Sequence, residues 1–300
     1  MIDAPGFSSW DDMQNSTWLK SVKDQMDKDQ WPSECRRCQD TEPDHSIRLD
    51  SINRHKLLKR YSDYVILGGV LDNVCNSACQ SCNANLSTKI GSLTSRNYIR
   101  INNKSLFDHI PIHRVIEIDI NGGEPTASPN YQDLLENLPH RVKILRVNTN
   151  GSKILPNLEK ILDRGIHVII TLSLDGVGSV HDYVRWPIMW NNYCSTVERY
   201  HDLKNKFDNL TLQAWTTVHA LNLGNFHIIE SWANSQELKH SWAYLDEPRP
   251  LNVRYSNNMT VPYKSFDPDN VAIDQDNQQD LNQFIIYQDQ LRSISIKDYL

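Results

Sequence analysis

This 300-residue chain contains no long apolar run, no excess of positive charge and no internal repeat. Its most apolar segment, HVIITLSLDG, is far too short to cross a bilayer, so we expect no membrane anchor. The net charge of −6 excludes the basic field of a typical nucleic-acid-binding protein. The N-terminal MIDAPGFSSWDD lacks the basic and apolar regions of a secretory signal. We therefore expect a cytoplasmic protein with no nucleic-acid partner.

Cysteine is also scarce, with six in the chain, and the last of them is Cys194. A cysteine-ligated auxiliary cluster in the C-terminal region is therefore not expected. Three of the six, Cys75, Cys79 and Cys82, fall within eight residues in a Cys-x3-Cys-x2-Cys pattern. In a reducing cytoplasm such a group is typical of metal or redox ligands rather than disulfides.

From Tyr64 onward, apolar runs alternate with amphipathic segments, which predicts strands alternating with helices. The predicted strands are 64–71, 114–120, 142–148, 167–174, 210–218 and 240–245. This order predicts an α/β fold with parallel strands and right-handed crossovers. Six units are too few for a closed eight-stranded barrel, so we expect a partial (βα)6 TIM-like barrel. The predicted domains are an N-terminal extension (1–62), this barrel (63–245) and a short C-terminal segment (246–300).

Three helices can be placed from local signals. Ser128 is suited to cap a helix with Pro129 at its first position. Gly165 is suited to end the next one. Apolar stripes support all three helices; their members are Tyr131, Leu134, Leu135 and Leu138, then Leu155, Leu158, Ile161 and Leu162, then Tyr193, Val197 and Tyr200.

Polar or glycine-rich residues follow the first four predicted strands. The carboxyl ends of parallel strands lie at one edge of a sheet, where ligands bind in this topology. The segments that we expect to meet there are the three cysteines, NGGEPT (121–126), NTNG (148–151) and SLDG (173–176), with Arg185 a little downstream.

Three thiolates can bind three irons of a [4Fe–4S] cluster, which normally has four protein ligands. The fourth iron is then open to a cofactor or substrate. A zinc site is the first alternative, but structural zinc needs four ligands and this loop offers three. Three cysteines packed as small apolar side chains are the second alternative. The flanking residues Asn73, Asn76, Gln80 and Asn83 make the loop too polar for a core.

Taken together, the cysteine pattern after the first strand and Gly122-Gly123-Glu124-Pro125 after the second resemble the radical S-adenosylmethionine (radical SAM) enzymes. The likeness covers about residues 64–245, and NTNG with SLDG and Arg185 is most similar to the twitch or SPASM branch, which often modifies peptides. The resemblance implies that the open iron chelates S-adenosylmethionine, whose reductive cleavage yields a 5′-deoxyadenosyl radical that abstracts a substrate hydrogen. The cofactor does this chemistry, and the protein positions it.

The resemblance also implies roles for individual residues. Gly122 and Gly123 would let the backbone approach the methionine amino group, and Glu124 would add negative charge near it. Ser173 and Asp175 would reach the ribose or the carboxylate, and the planar Arg185 fork would bind the carboxylate. The remaining predicted residues, Asn148 and Asn150, would line the adenosyl pocket or the substrate side.

Two features depart from the family pattern or lie outside it. Ser81 stands before the third cysteine, where the family often has a large apolar residue near the adenine, so the TTVHALN segment is a candidate for that contact. Cys35 and Cys38 resemble a segment found ahead of the barrel in some twitch-type members. They could ligate an auxiliary cluster or zinc with His45 or a partner chain, or form a dithiol pair.

The leading hypothesis is therefore a radical SAM enzyme acting on a peptide or protein, with an electron donor such as flavodoxin or ferredoxin. The alternatives are a nucleotide, sugar or small-metabolite substrate, or a non-catalytic iron-sulfur or zinc scaffold. No catalytic acid, base or quenching residue stands out. Cys194, which we expect in the core, and Tyr183 are undistinguished candidates.

Overall fold

The computed structural model describes residues 7–33, 63–94, 98–253 and 275–299. The chain divides into two compact units. The smaller comprises Met1–Val65 and Ser105–Val115, and the larger comprises Ile66–Lys104 and Ile116–Leu300. The domain boundaries after residues 62 and 245 stay predictions.

In the smaller unit, two short helices begin at serine caps. Helix α1 is Trp10–Asn15 and helix α2 is Thr17–Asp27. The hydroxyls of Ser9 and Ser16 each accept a hydrogen bond from the backbone three residues later, at 3.1 Å in both cases. These bonds satisfy backbone donors that every helix start leaves open.

The larger unit is built on a six-stranded sheet with the strand order β1-β2-β3-β4-β5-β6. The strands are β1 Val65–Val70, β2 Val115–Asn121, β3 Ile144–Thr149, β4 His167–Ser173, β5 Leu210–Val218 and β6 Lys239–Tyr244. Every neighbouring pair from β2 to β6 is parallel. All six predicted strands are present, and the sequential order confirms an α/β fold with an open sheet.

Helices connect and follow these strands. They are α3 Thr88–Leu93, α4 Pro129–Glu136, α5 Leu158–Asp163, α6 Ser179–Val184, α7 Trp190–Lys206, α8 Phe226–Ser235 and α9 Gln275–Arg292. The predicted caps are confirmed: Ser128 Oγ accepts from Tyr131 N at 3.0 Å, and Gly165 follows α5 with φ +72°. Leu138 and Leu155, predicted on helical stripes, are buried but lie just outside α4 and α5.

The two faces of the sheet differ in burial. In β5, Leu210, Leu212 and Ala214 are buried, whereas the alternating Gln213 is half-buried and Trp215 is exposed. Alternation of this kind places successive side chains on opposite faces. One face therefore forms the core, and the other remains partly open.

Helix α7 covers part of the core. Its predicted stripe of Tyr193, Val197 and Tyr200 is fully buried, while Cys194, expected in the core, is only half-buried. Within the described ranges, no helix combines the length and the apolar character needed to cross a membrane.

Candidate functional site

The cysteine loop follows β1 and is held by backbone bonds on both sides. Cys75 N donates to Thr88 Oγ1 of α3 at 3.1 Å. Further along the loop, Ala78 N donates to Trp186 O at 2.8 Å, and Gln80 N donates to Val184 O at 2.9 Å. The loop is therefore fixed between α3 and the end of α6, at the edge of the sheet where β1 ends.

The three thiols of this loop, those of Cys75, Cys79 and Cys82, are free and close to one another. Burial and, after it, the neighbouring Cys79 raise the pKa of the Cys75 thiol to about 11 and that of Cys82 to about 12. Burial likewise raises the pKa of Cys79, with the Arg185 guanidinium acting against it. Thiols close enough to affect one another's pKa can serve as ligands of one polynuclear centre.

The same donor set does not form a site for a single ion. Among the residues that the structure describes, no three Cys, His, Asp or Glu side chains are grouped to hold one metal ion. Tetrahedral zinc needs its ligands to converge on one point. Thiolates bound to separate irons of a cluster need not converge on one point.

Glu124, after β2, is at the centre of a buried hydrogen-bond network. Its carboxylate accepts from Thr126 N and Oγ1 at 3.0 and 2.8 Å, from Thr149 Oγ1 at 2.8 Å and from Asn150 N at 2.7 Å. Burial raises the pKa of Glu124, and these bonds oppose the rise. The bonds from Thr149 and Asn150 come from the end of β3, so this carboxylate joins the ends of β2 and β3. Its role beside an amino group stays a prediction.

The two glycines before Glu124 pass directly against the start of the cysteine loop. A Cβ on Gly123 would lie 2.0 Å from Val74 O, and one on Gly122 would lie 2.5 Å from Asp72 O. Gly123 N also donates to Asp72 O at 3.0 Å. Only glycine leaves room for this contact, so here the two glycines first serve the packing of backbone on backbone.

The two asparagines of NTNG have different surroundings. Asn150 is buried, and its Nδ2 donates at 2.8 Å to both Asn76 Oδ1 and Ser77 Oγ of the cysteine loop. It therefore ties the end of β3 to that loop. Asn148 is exposed and donates to the side chain of Asn121 at the end of β2.

At the end of β4, Asp175 and Arg185 form a buried ion pair. Asp175 Oδ2 accepts from Arg185 Nη1 at 2.8 Å, and Oδ1 accepts from Thr217 N at 2.8 Å. The side chain of Asp175 is 4% exposed and that of Arg185 is 11% exposed. Within the described chain, Arg185 Nε has no hydrogen-bond partner. Ser173 is half-buried at the end of the same strand.

Sequence reasoning singled out the TTVHALN segment but none of its residues. His219 is fully buried, and its Nδ1 accepts from Leu221 N at 3.2 Å. Burial lowers its pKa to about 4. The neutral ring then carries its hydrogen on Nε2, which has no partner in the described structure. Asn222 donates to Asp175 O at 3.0 Å, so this turn supports the ion pair.

Two sets of predicted residues are thus brought together. The cysteines, Gly122, Gly123, Glu124 and Asn150 form one connected group, and Asp175 with Arg185 lies within electrostatic range of Cys79. Asn148 lies apart on the open face. Cys35, Cys38 and His45 lie outside the described residues. Sequence reasoning missed Asp72 and Arg292, whose side chains bond the cysteine loop at Val74 N and at the Ala78 and Cys79 carbonyls, because nothing in the sequence distinguishes them from ordinary polar residues.

Comparison with known proteins gives partial matches. The chain is 29% identical over 117 residues to the mycofactocin maturase MftC of Mycobacterium tuberculosis H37Rv, and 30% identical over 116 residues to that of Mycolicibacterium smegmatis. Each match covers 38% of this chain and 29% of the maturase. The match supports the radical SAM superfamily, in agreement with the motifs. No family model matches.

Among solved structures, Streptococcus suis SuiB is similar over most of this chain. The form bound to S-adenosylmethionine has a TM-score of 0.46 and 13% identity, covering 93% of this chain and 60% of SuiB. The form bound to the precursor peptide SuiA has a TM-score of 0.45 and 14% identity, covering 92% and 60%.

Proposed function

We propose that this protein is a radical SAM enzyme. In this proposal Cys75, Cys79 and Cys82 hold a [4Fe–4S] cluster, and the residues after β2, β3 and β4 bind S-adenosylmethionine. The observation that carries the proposal is three free, mutually interacting thiols on a loop that packs against the Gly122-Gly123 turn. Thiolates are the ligands that iron–sulfur clusters take.

The chemistry of the bound groups would be reductive cleavage of S-adenosylmethionine and hydrogen abstraction from a substrate. The chain's own residues bind and orient. Arg185 Nε–H, which has no partner in the described part of the chain, suits a carboxylate oxygen of the cofactor. Asp175 holds the guanidinium in place by accepting a hydrogen bond from Arg185 Nη1. The Gly122-Gly123 backbone packs against the cysteine loop and Glu124 joins the ends of β2 and β3; their place beside the amino group stays a prediction.

We further propose a peptide or protein substrate. The open face of the sheet presents Asn148, Thr171 and Gln213 side by side in the strand register. Gln213 Nε2 donates to Thr171 Oγ1 at 2.8 Å, and the exposed Trp215 follows on β5. Amide and hydroxyl groups suit the hydrogen-bonding groups of a peptide better than the charge of a phosphorylated metabolite. The name of the matched relatives, mycofactocin maturase, is in keeping with this choice.

The matched region spans less than a third of those maturases, so the substrate is assigned from the chain's own features. An electron donor such as flavodoxin or ferredoxin, in the cytoplasm, would supply the reducing equivalent. The rival function is a non-catalytic iron-sulfur scaffold.

The test of catalysis is cofactor cleavage by the chain after anaerobic reconstitution with iron and sulfide. With dithionite as reductant, the enzyme is expected to form 5′-deoxyadenosine, and a Cys79→Ser variant is expected to form none. A protein that binds the cluster but never cleaves S-adenosylmethionine would contradict the enzyme hypothesis and favour the non-catalytic scaffold.

The test of substrate class uses a cell extract separated by size. The peptide fraction is expected to stimulate 5′-deoxyadenosine formation, and digestion of that fraction with protease is expected to abolish the stimulation. Stimulation confined to the small-metabolite fraction, unchanged by protease, would contradict a peptide substrate.

A further inference from the structure

The C-terminal helix α9 ends against the cysteine loop. Its last residue, Arg292, is 3% exposed although it carries a guanidinium. Arg292 Nε donates to Ala78 O at 2.7 Å, and Nη2 donates to Cys79 O at 3.1 Å. The third nitrogen, Nη1, donates to Gln288 O at 3.0 Å and also contacts the side-chain oxygen of Gln288. One side chain thus joins residues more than 200 positions apart at the centre of the cysteine motif.

These bonds complete the fixation of the loop. Ala78 donates its N–H to Trp186 O and receives Arg292 at its carbonyl, so both polar groups of its backbone are engaged. The Cys79 carbonyl accepts from both Arg292 and Cys82 N, the latter at 3.2 Å. Arg292 therefore holds the turn that sets where the Cys79 and Cys82 thiols point.

The hydrogen bonds of Arg292 go to carbonyl and amide oxygens, so no carboxylate among the described residues bonds its guanidinium. Burial of a charge without an opposite charge nearby is strongly unfavourable. The Asp289 carboxylate, three residues earlier on α9, lies within electrostatic range, and so do the thiols of Cys79 and Cys82. Thiolates bound to a cluster would add to the negative charge that offsets the guanidinium.

We propose that Arg292 is a positioning residue that fixes the Cys79 turn and raises the reduction potential of the cluster through its buried positive charge. This inference rests on the proposed function. Reduction adds an electron to the cluster, and a nearby cation stabilises the more negative state. Net charge and hydrogen bonding around the cluster are the means by which a protein sets such potentials.

The experiment compares reconstituted wild type with Arg292→Gln and Arg292→Lys. Iron per chain is measured first, and a redox titration followed by electron paramagnetic resonance then gives the fraction of reduced cluster. At a fixed potential near the wild-type midpoint, Arg292→Gln is expected to lower the ratio of reduced to oxidised cluster at least threefold. Arg199→Gln, an exposed arginine on α7, is the control and should change nothing.

The lysine variant separates charge from positioning. It keeps the charge but cannot bond both carbonyls in a planar fork, so its potential should stay near that of wild type while a chelator removes its iron faster. A role confined to capping α9 would change the thermal stability of the iron-free chain and leave the potential unmoved. A loaded Arg292→Gln variant with the wild-type potential, or a lysine variant with wild-type iron retention, overturns the inference. A wild type that takes up no iron overturns the proposed function itself.

Discussion

The two halves of the strand edge differ in how their buried polar groups are satisfied. At the ends of β1 to β3, the side chains of Asp72, Glu124 and Asn150 form hydrogen bonds with other groups of the chain. At the ends of β4 and β5, Arg185 and His219 each keep a buried nitrogen without a partner in the described structure. The first half is therefore built to hold the cysteine loop, and the second has donors left for a ligand.

This contrast changes how the motif is interpreted. Glu124 looks from sequence like a cofactor-binding carboxylate, yet it accepts four hydrogen bonds within the chain, and two of them link the end of β2 to that of β3. Arg185 was predicted to bind the cofactor carboxylate, and its Nε is a buried donor without a partner among the residues described. A buried donor without a partner costs about 1–3 kcal/mol, which a bound acceptor would recover.

The largest effect is expected from removing a thiol of the first half. In Cys79→Ser, the iron content after reconstitution should fall from about four atoms per chain to nearly none, because a hydroxyl is a poor ligand for a cluster. Cys194→Ser changes a half-buried cysteine on α7 and should keep the wild-type iron content. Colorimetric iron and sulfide assays decide the outcome. Equal loss in both variants would mean that the three-cysteine loop is not the cluster site.

The next largest effect tests the packing beneath that loop. Gly123→Ala should lower the free energy of unfolding of the iron-free chain by about 3 kcal/mol, because its Cβ meets Val74 O at 2.0 Å. Gly224→Ala is the matched control, since a Cβ there meets nothing within 4 Å. Urea unfolding followed by tryptophan fluorescence measures both. If the Gly123→Ala variant is as stable as the control, the close contact between Gly123 and Val74 O does not exist in the folded protein.

The second half is tested by its ligand affinity. Arg185→Gln should weaken S-adenosylmethionine binding to the loaded protein by about 10- to 100-fold, the loss expected for one charge-assisted hydrogen bond. Its iron content should stay near that of wild type. Arg199→Gln is again the exposed control. Equilibrium dialysis with labelled cofactor gives the dissociation constants. An unchanged affinity would place the cofactor away from the β4 end.

At neutral pH the smallest effect comes from protonation of His219, because it develops only below pH 6.5. Its pKa is lowered from 6.5 to about 4 by burial, so the folded state holds the neutral ring while the unfolded state takes up a proton below pH 6.5. The stabilisation is therefore complete above pH 6.5 and is lost as the pH falls toward 4. Its full size is about 3 kcal/mol. His219→Gln should flatten the fall in unfolding free energy between pH 6.5 and 4.

Exposed His227 provides the control for that titration. His227→Gln should follow the wild-type pH dependence of urea unfolding. If His219→Gln also follows it, the ring is not held neutral by the fold.

Much of the fold could be predicted because its signals are local. Alternating apolar runs predicted each strand, and Ser128, Pro129 and Gly165 marked helix ends through capping and left-handed backbone. The cysteine loop could be placed because it follows the first of these strands. These features depend on neighbours in sequence, so a single chain is enough to find them.

The rest depends on contacts between distant segments. Nothing near Arg292 in the sequence indicates that it bonds Ala78 and Cys79, and nothing in NGGEP indicates that its glycines face the backbone of Asp72 and Val74. Glu124 was predicted as a site residue, but its partners in NTNG become visible only when β2 and β3 lie side by side. The difference between the ends of β1 to β3, which hold the cysteine loop, and the ends of β4 and β5, which have donors left for a ligand, therefore arises only in the tertiary structure.

That difference is tested most directly by one spectroscopic comparison. Wild type and Arg185→Gln are reconstituted, reduced with dithionite and examined by electron paramagnetic resonance with and without S-adenosylmethionine. Both should show a reduced [4Fe–4S] signal, and the cofactor should change the signal of wild type but not that of the variant at the same concentration. The same cofactor-induced change in both proteins, or no cluster signal in wild type, would contradict the account.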